Sequence, residues 1–186
     1  MEKLNYYITR TFEHIHRVQK NAVCLATKYA AELELDSDEI REFMHNVAEH
    51  DSSKFSETQF LPYIELTEYY RQRKNLGNKD YQYPEGVEVL VNVAVNDHYE
   101  RENHHPEGIR CWGKLESLEC ACDLQAMAQE FGEGSARKYF ENVWMKKHET
   151  CFIPSAWIKT TGVMLKAIEC FEKESTLCLF SRRPNP

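Results

Sequence analysis

Apolar residues recur every three or four positions through most of this chain, while glycine and proline fall between the periodic segments. That pattern predicts helices. The first runs from about Tyr6 to Leu33, with His14, Val18, Ala22, Leu25 and Tyr29 on one stripe, so His14 faces the core and His16 points away. Asp36-Ser-Asp38-Glu39 is an N-terminal signal for a second helix, whose apolar positions Ile40, Phe43 or Met44, and Val47 lead to His50 and Asp51. A third is expected to start near Ser56, where Ser56-Glu-Thr-Gln59 fits a capping box, and to run towards Arg73 before Leu76-Gly-Asn-Lys-Asp80 turns the chain.

Beyond Pro84, Val87, Leu90 or Val91, Ala94 and Val95 lead to His98. The β-branched run Val87 to Val95 suits a strand as well; we read it as a helix. A polar turn from Glu100 to Pro106 follows, then helices over Lys114 to Phe131, Ser135 to His148 and Ser155 to Phe171. The reading is therefore an all-α, single-domain helical bundle over residues 1–172, with 173–186 as a loosely ordered C-terminal tail.

Composition narrows the class. With 186 residues, 42% hydrophobic and 28% charged, the chain can bury a core of its own. Its seven cysteines are odd in number and contain no Cys-x-x-Cys pair, so reduced thiols in a cytoplasmic protein are expected. No signal-like N-terminus and no apolar run of about 20 residues is present, which argues against export and a membrane span. A net charge of −7 argues against general nucleic-acid binding but leaves room for a small anionic ligand drawn to a metal. A homo-oligomer is compatible with these features. Neither a phosphate-binding glycine loop nor a Gly-x-Ser-x-Gly elbow occurs.

The candidate chemistry lies in histidines and acids at helix ends. Imidazole and carboxylate are the usual ligands of catalytic divalent transition metals, gathered from separate helices around an open position. His14 lies on a core stripe, His50 and Asp51 are adjacent, His98 ends a helix, His104 and His105 follow in the turn, and Asp123 sits inside a later helix. Adjacent His50 and Asp51 can share an ion only if the chain is leaving helical geometry there, because within a helix they diverge by about 100°. Glu119, one turn before Asp123, can orient an imidazole. His16, His45 and His148 fit no shared pocket, and Trp112, Trp144 and Trp157 suit the core and its rim.

At this point the chain resembles the HD metal-dependent phosphohydrolase superfamily, whose signature is a His, a His-Asp pair and a late Asp. His14-Ile-His-Arg-Val-Gln19, His50-Asp-Ser-Ser-Lys-Phe55, Pro62-Tyr63, Asn103-His-His-Pro-Glu107 and Asp123-Leu-Gln-Ala-Met127 look, more narrowly, like a little-characterised group of small HD-like proteins of unknown function. That group carries Glu-Met before the late Asp and a Trp after it, where this chain has Glu119-Cys120 and Leu124.

The resemblance implies metal ligation by His14, His50, Asp51 and Asp123, with a second ion held by His98 and His104 and bridged by Asp51. His105 would then contact substrate or donate a proton, although His104 and His105 can exchange these roles. The ions implied are one or two divalent transition metals (Mn, Fe, Co, Ni or Zn), with Mg as a further candidate. His50-Asp51-x-x-Lys54 also resembles the Lys-bearing motif of HD-GYP cyclic-dinucleotide phosphodiesterases and of the HD-fold oxygenase that cleaves myo-inositol. The expected function is hydrolysis of a nucleotide or other small phosphorylated metabolite by metal-activated water, with Lys54, His105 and Asp51 as catalytic residues. The alternatives are an HD-fold di-iron oxygenase and an inactive HD-fold binding module.

Overall fold

A computed structural model describes residues 1–107, 112–132, 135–148 and 154–181, with side chains in the last helix described over 159–175. Every regular element among them is helical. The elements are α1 (Glu2–Lys28), α2 (Ser37–Ala48), a 3-10 turn (Ser52–Phe55), α3 (Phe60–Tyr70) continuing as a π-helical stretch (Arg71–Asn75), α4 (Val87–Arg101) and α5 (Lys114–Phe131). Then come α6 (Ala136–Tyr139), a second π-helical stretch (Phe140–Trp144), α7 (Met145–His148) and α8 (Pro154–Ser181).

The stripe on α1 does what its spacing predicts: His14, Val18, Ala22 and Leu25 are buried and His16 is exposed. It packs on α5, which is buried nearly all round and so sits at the centre of the bundle. Arg10 pairs with Glu130 and His14 with Asp123, so α1 and α5 run antiparallel, and Asn21 ties them further by bonding the Cys122 carbonyl and Gln129. The main core joins Val18 and Leu25 of α1, Phe43 and Val47 of α2, Leu118 and Cys122 of α5, and Ala167 and Phe171 of α8. A second cluster holds Trp112, Phe140, Trp144 and Ile168, and a third places Tyr7 against Tyr63, Ile64 and Ala94.

Helix α2 begins as its sequence signals. The Asp36 carboxylate accepts from the Asp38 and Glu39 N–H groups, and the Glu39 side chain accepts from the Asp36 N–H, a complete capping box. The box expected at Ser56 does not form. Helix α3 starts at Phe60, because Gln59 turns inward, fully buried, to accept from Ser53 Oγ and donate to Asp97.

The Val-rich segment is helical, not extended. Gly86, at φ 76°, starts α4, which buries Val91, Ala94 and His98 and leaves Val89, Leu90 and Val93 exposed. At the C-terminus, α8 continues past residue 172 to Ser181, where a loose tail was expected. No proline or glycine falls in that stretch before Pro184, so nothing in the backbone ends the helix earlier. Cys120, Cys122 and Cys170 are buried thiols outside any disulfide. No helix among the described residues is long and apolar enough to cross a membrane. His148, Trp157, Cys111, Cys151 and Cys178 lie outside the described side chains.

Candidate metal centre

Where α2 ends, the chain leaves helical geometry, as a shared His-Asp site requires. Asp51 takes a left-handed conformation (φ 60°, ψ 13°), which is uncommon for a residue with a side chain and is tolerated best by Asn and Asp. The kink brings His50 and Asp51 inward together, both about 1% exposed. A carboxylate from the end of α4 holds it: Glu102 accepts from the Asp51 N–H at 3.2 Å and the Ser53 N–H at 2.9 Å. The Tyr7 hydroxyl, from α1, donates to the Lys54 carbonyl at 2.8 Å.

Around Asp51 the donors divide into two clusters. In the first, His14 Nε2 lies 3.1 Å from Asp123 Oδ1 and 3.6 Å from Asp51 Oδ2. His50 joins it through Nε2, 3.8 Å from Asp51 Oδ2, because its Nδ1 is engaged by Glu119 at 2.9 Å. In the second, Asp51 Oδ1 faces His98 Nε2 at 3.3 Å and His104 Nε2 at 3.8 Å. His105 Nε2 is 3.0 Å from His98 Nε2, while His98 Nδ1 meets Ser53 Oγ at 2.9 Å. The sets His14/His50/Asp123 and His98/His104/His105 each present three ligand atoms close enough to hold a metal ion, and a third set, His50/His104/Glu119, links the two.

Glu119 lies behind both, engaging His50 Nδ1 at 2.9 Å, while His104 Nδ1 lies 3.3 Å away and makes no hydrogen bond among the described residues. A carboxylate on the outer nitrogen of an imidazole fixes the tautomer with a lone pair on the inner one. His50 Nε2 and Asp51 Oδ1 are buried and make no hydrogen bond among the described residues. Buried polar atoms in that state are costly unless something else satisfies them. Imidazole nitrogens and carboxylate oxygens arranged in this way fit a divalent transition metal.

The electrostatics fit the same use. Burial works to raise the pKa of Asp51, but the Lys54 ammonium, 2.5 Å from Oδ2, together with His50 and His98 outweighs it and holds the carboxyl well below the usual range. Burial likewise opposes ionisation of Asp123, and His14 overrides it. Glu119 is desolvated as well, yet His104 and His50 bring it down to about 2. Burial, then the neighbouring His104 and His98, push His105 well below the ordinary histidine value. These directions favour ionised acids and a neutral His105 with a lone pair to offer, whereas for His50 burial is outweighed by Asp51, Glu119 and Asp123, which push its pKa up.

Every residue proposed from sequence for the centre is thus brought to one place, and both His104 and His105 join the second cluster. His16 and His45 stay outside it, exposed. Sequence reasoning missed Glu102, Ser53, Gln59 and Tyr7, which shape the turn, Ser53 also meeting His98 from behind. Glu102 stood in a run of polar residues with no periodic signal, and its backbone partner Asp51 is 51 residues away.

The centre opens onto a cleft of about 640 Å³. His14, Asp51, Asp123 and the three histidines of the second cluster line its inner end, beside Lys54 and Tyr63. Both π-helical stretches border it, contributing Arg71 and Lys74 from one and Val143 and Trp144 from the other. Such widened turns recur at functional sites.

No curated protein and no solved structure matches this chain. Residues 3–161, which carry all of the clustered donors and every wall of the cleft named above, match the family described as "Family of unknown function (DUF5662)". The chain belongs to that family.

Proposed function

We propose that this protein is a metal-dependent phosphohydrolase of the HD kind, acting on a nucleotide or other small phosphorylated metabolite. The observation that carries the reading is that the two oxygens of one buried carboxylate, Asp51, face two separate clusters of metal-ligand side chains at the inner end of an open cleft. His14, His50 and Asp123 would hold one divalent ion and His98, His104 and His105 a second, with Asp51 placed to serve either. Divalent ions in such a site supply water of near-neutral pKa and positive charge for phosphoryl oxygens.

The chain's own groups do the rest. Glu119 orients His50 and Ser53 orients His98 from behind. Lys54 presents its ammonium beside Asp51 on the cleft wall, where it stabilises negative charge developing on the substrate. The clustering of His105 with His98 favours a ligand role for it over substrate contact or proton donation. A second reading, a di-iron oxygenase, draws on the imidazole-rich second cluster, since imidazole suits iron as well.

Elemental analysis of the purified protein, then a screen of nucleotides and phosphate esters with Mn, Co, Ni, Mg and Fe, tests the proposal. Phosphate release is expected, and Lys54→Met is expected to lower turnover by about 10² to 10³ with metal content unchanged. Coloured, iron-rich protein that consumes oxygen and releases no phosphate would put the oxygenase reading first. Wild-type turnover in Lys54→Met would show that Lys54 takes no part.

A further inference from the structure

The end of the cleft remote from the clusters has a composition of its own. Arg10 and Lys74 both lie over the ring of Phe131, at 5.9 and 5.6 Å, while Lys74 also lies 5.1 Å from the centroid of Tyr70 and Arg71 4.8 Å from that of Tyr6. All six of these side chains line the cleft. Three cations, drawn from α1 and the π-helical stretch after α3, thus form a collar with three aromatic rings in a chain whose net charge is −7.

Their charge is only partly neutralised. Arg10 pairs with Glu130 at 2.6 Å, and Arg71 with Glu68 at 3.2 Å and the exposed Glu2 at 2.5 Å. Among the described residues, no carboxylate pairs with Lys74. The rings are not free platforms either, because cations already sit over Tyr6, Tyr70 and Phe131. What the collar has left to offer is positive charge and N–H donors, which suit an anion better than a stacking base.

The antiparallel helices set its distance from the centre. Arg10 is four residues before His14 on α1, about 6 Å along the axis, and Phe131 is eight residues after Asp123 on α5, about 12 Å in the same direction.

We propose that this collar is a second anion subsite, so that the substrate carries two phosphate-like groups roughly 10 Å apart, one at the His/Asp clusters and one held by Arg10, Arg71 and Lys74. The inference rests on the phosphohydrolase reading of the centre and adds a chemical class to it: an elongated bisphosphorylated metabolite, with the body between the two groups lying along the tyrosine-lined wall.

Calorimetric titration of the metal-loaded protein with an alkylphosphonate and with α,ω-alkane-bisphosphonates of increasing chain length tests this without turnover. A bisphosphonate of intermediate length is expected to bind about tenfold or more tighter than the monophosphonate, a difference of about 1.4 kcal/mol. Lys74→Gln is expected to reduce that gain, and Lys74→Gln with Arg71→Gln to abolish it, leaving monophosphonate affinity unchanged. Lys74 is exposed, so the single variant is not expected to disturb folding. Equal affinity for mono- and bisphosphonates at every length, or a gain that survives in the double variant, overturns the subsite while leaving the centre's reading intact. Failure of the monophosphonate itself to bind removes the phosphoryl site at the clusters, and this inference with it.

Discussion

At the scale of single residues, Asp51 carries the greatest weight. Its two carboxylate oxygens face different donor clusters, and its left-handed backbone turns it inward between them. Asp51→Ala is expected to leave helical circular dichroism intact while metal content falls to less than one ion per chain, as elemental analysis would show. Full metal content in that variant would mean the ions, if bound, sit elsewhere. Glu102 is the less obvious residue. It gives no ligand, but it is buried and accepts two backbone N–H groups of the turn, and bonds to a charged acceptor contribute about 1.5–3 kcal/mol each. Glu102→Ala is therefore expected to lower stability by about 3 kcal/mol in urea unfolding, with weakened metal retention. An unchanged urea midpoint would show that other contacts hold Asp51 in its turn.

At the scale of elements, the register of α1 decides which histidine of the His14/His16 pair matters. Residues two apart on a helix lie on opposite flanks, and only His14 shares the buried stripe of Val18, Ala22 and Leu25. His14→Ala is expected to deplete the ion and His16→Ala to leave metal content and melting temperature unchanged; the opposite pattern would mean that α1 is rotated. The same periodicity makes α1, α2 and α4 legible as helices, and His98 was readable as the last buried position of α4. Where a side chain abandons its local role, the reading fails. Gln59 could have closed a capping box with Ser56, but buried partners on Ser53 and Asp97 take it instead, and α3 starts later than its local signal suggests.

At the scale of the whole molecule, the candidate centre joins α1, the α2 terminus, the end of α4 with its following turn, and α5, so an ion bound there would be coupled to folding. An ion that binds only the folded chain, at a free concentration a hundredfold above its dissociation constant, stabilises by about 2.7 kcal/mol. For a chain of 186 residues this corresponds to a rise in melting temperature of about 5 to 10 °C, which a chelator should reverse. An indifferent melting temperature with and without Mn or Fe would count against any resident ion at these clusters. The exposed apolar positions Val89, Leu90 and Val93 on α4 lie away from the centre and take no part in this coupling.

The sequence by itself determined the helical class, the inward positions of α1, α2 and α4, and the set of histidines and acids from which the candidate centre is drawn. Those properties are written in spacings of three and four residues and in local end signals, which a single chain displays openly. Only the tertiary structure decided how that set divides. It turned the two oxygens of Asp51 towards different clusters, put Glu119 between His50 and His104, brought Glu102 to the turn it holds, and drew Arg10, Arg71 and Lys74 to one end of the cleft. Contacts between distant segments follow from how helices pack, and no periodicity along the chain records which side chains will meet.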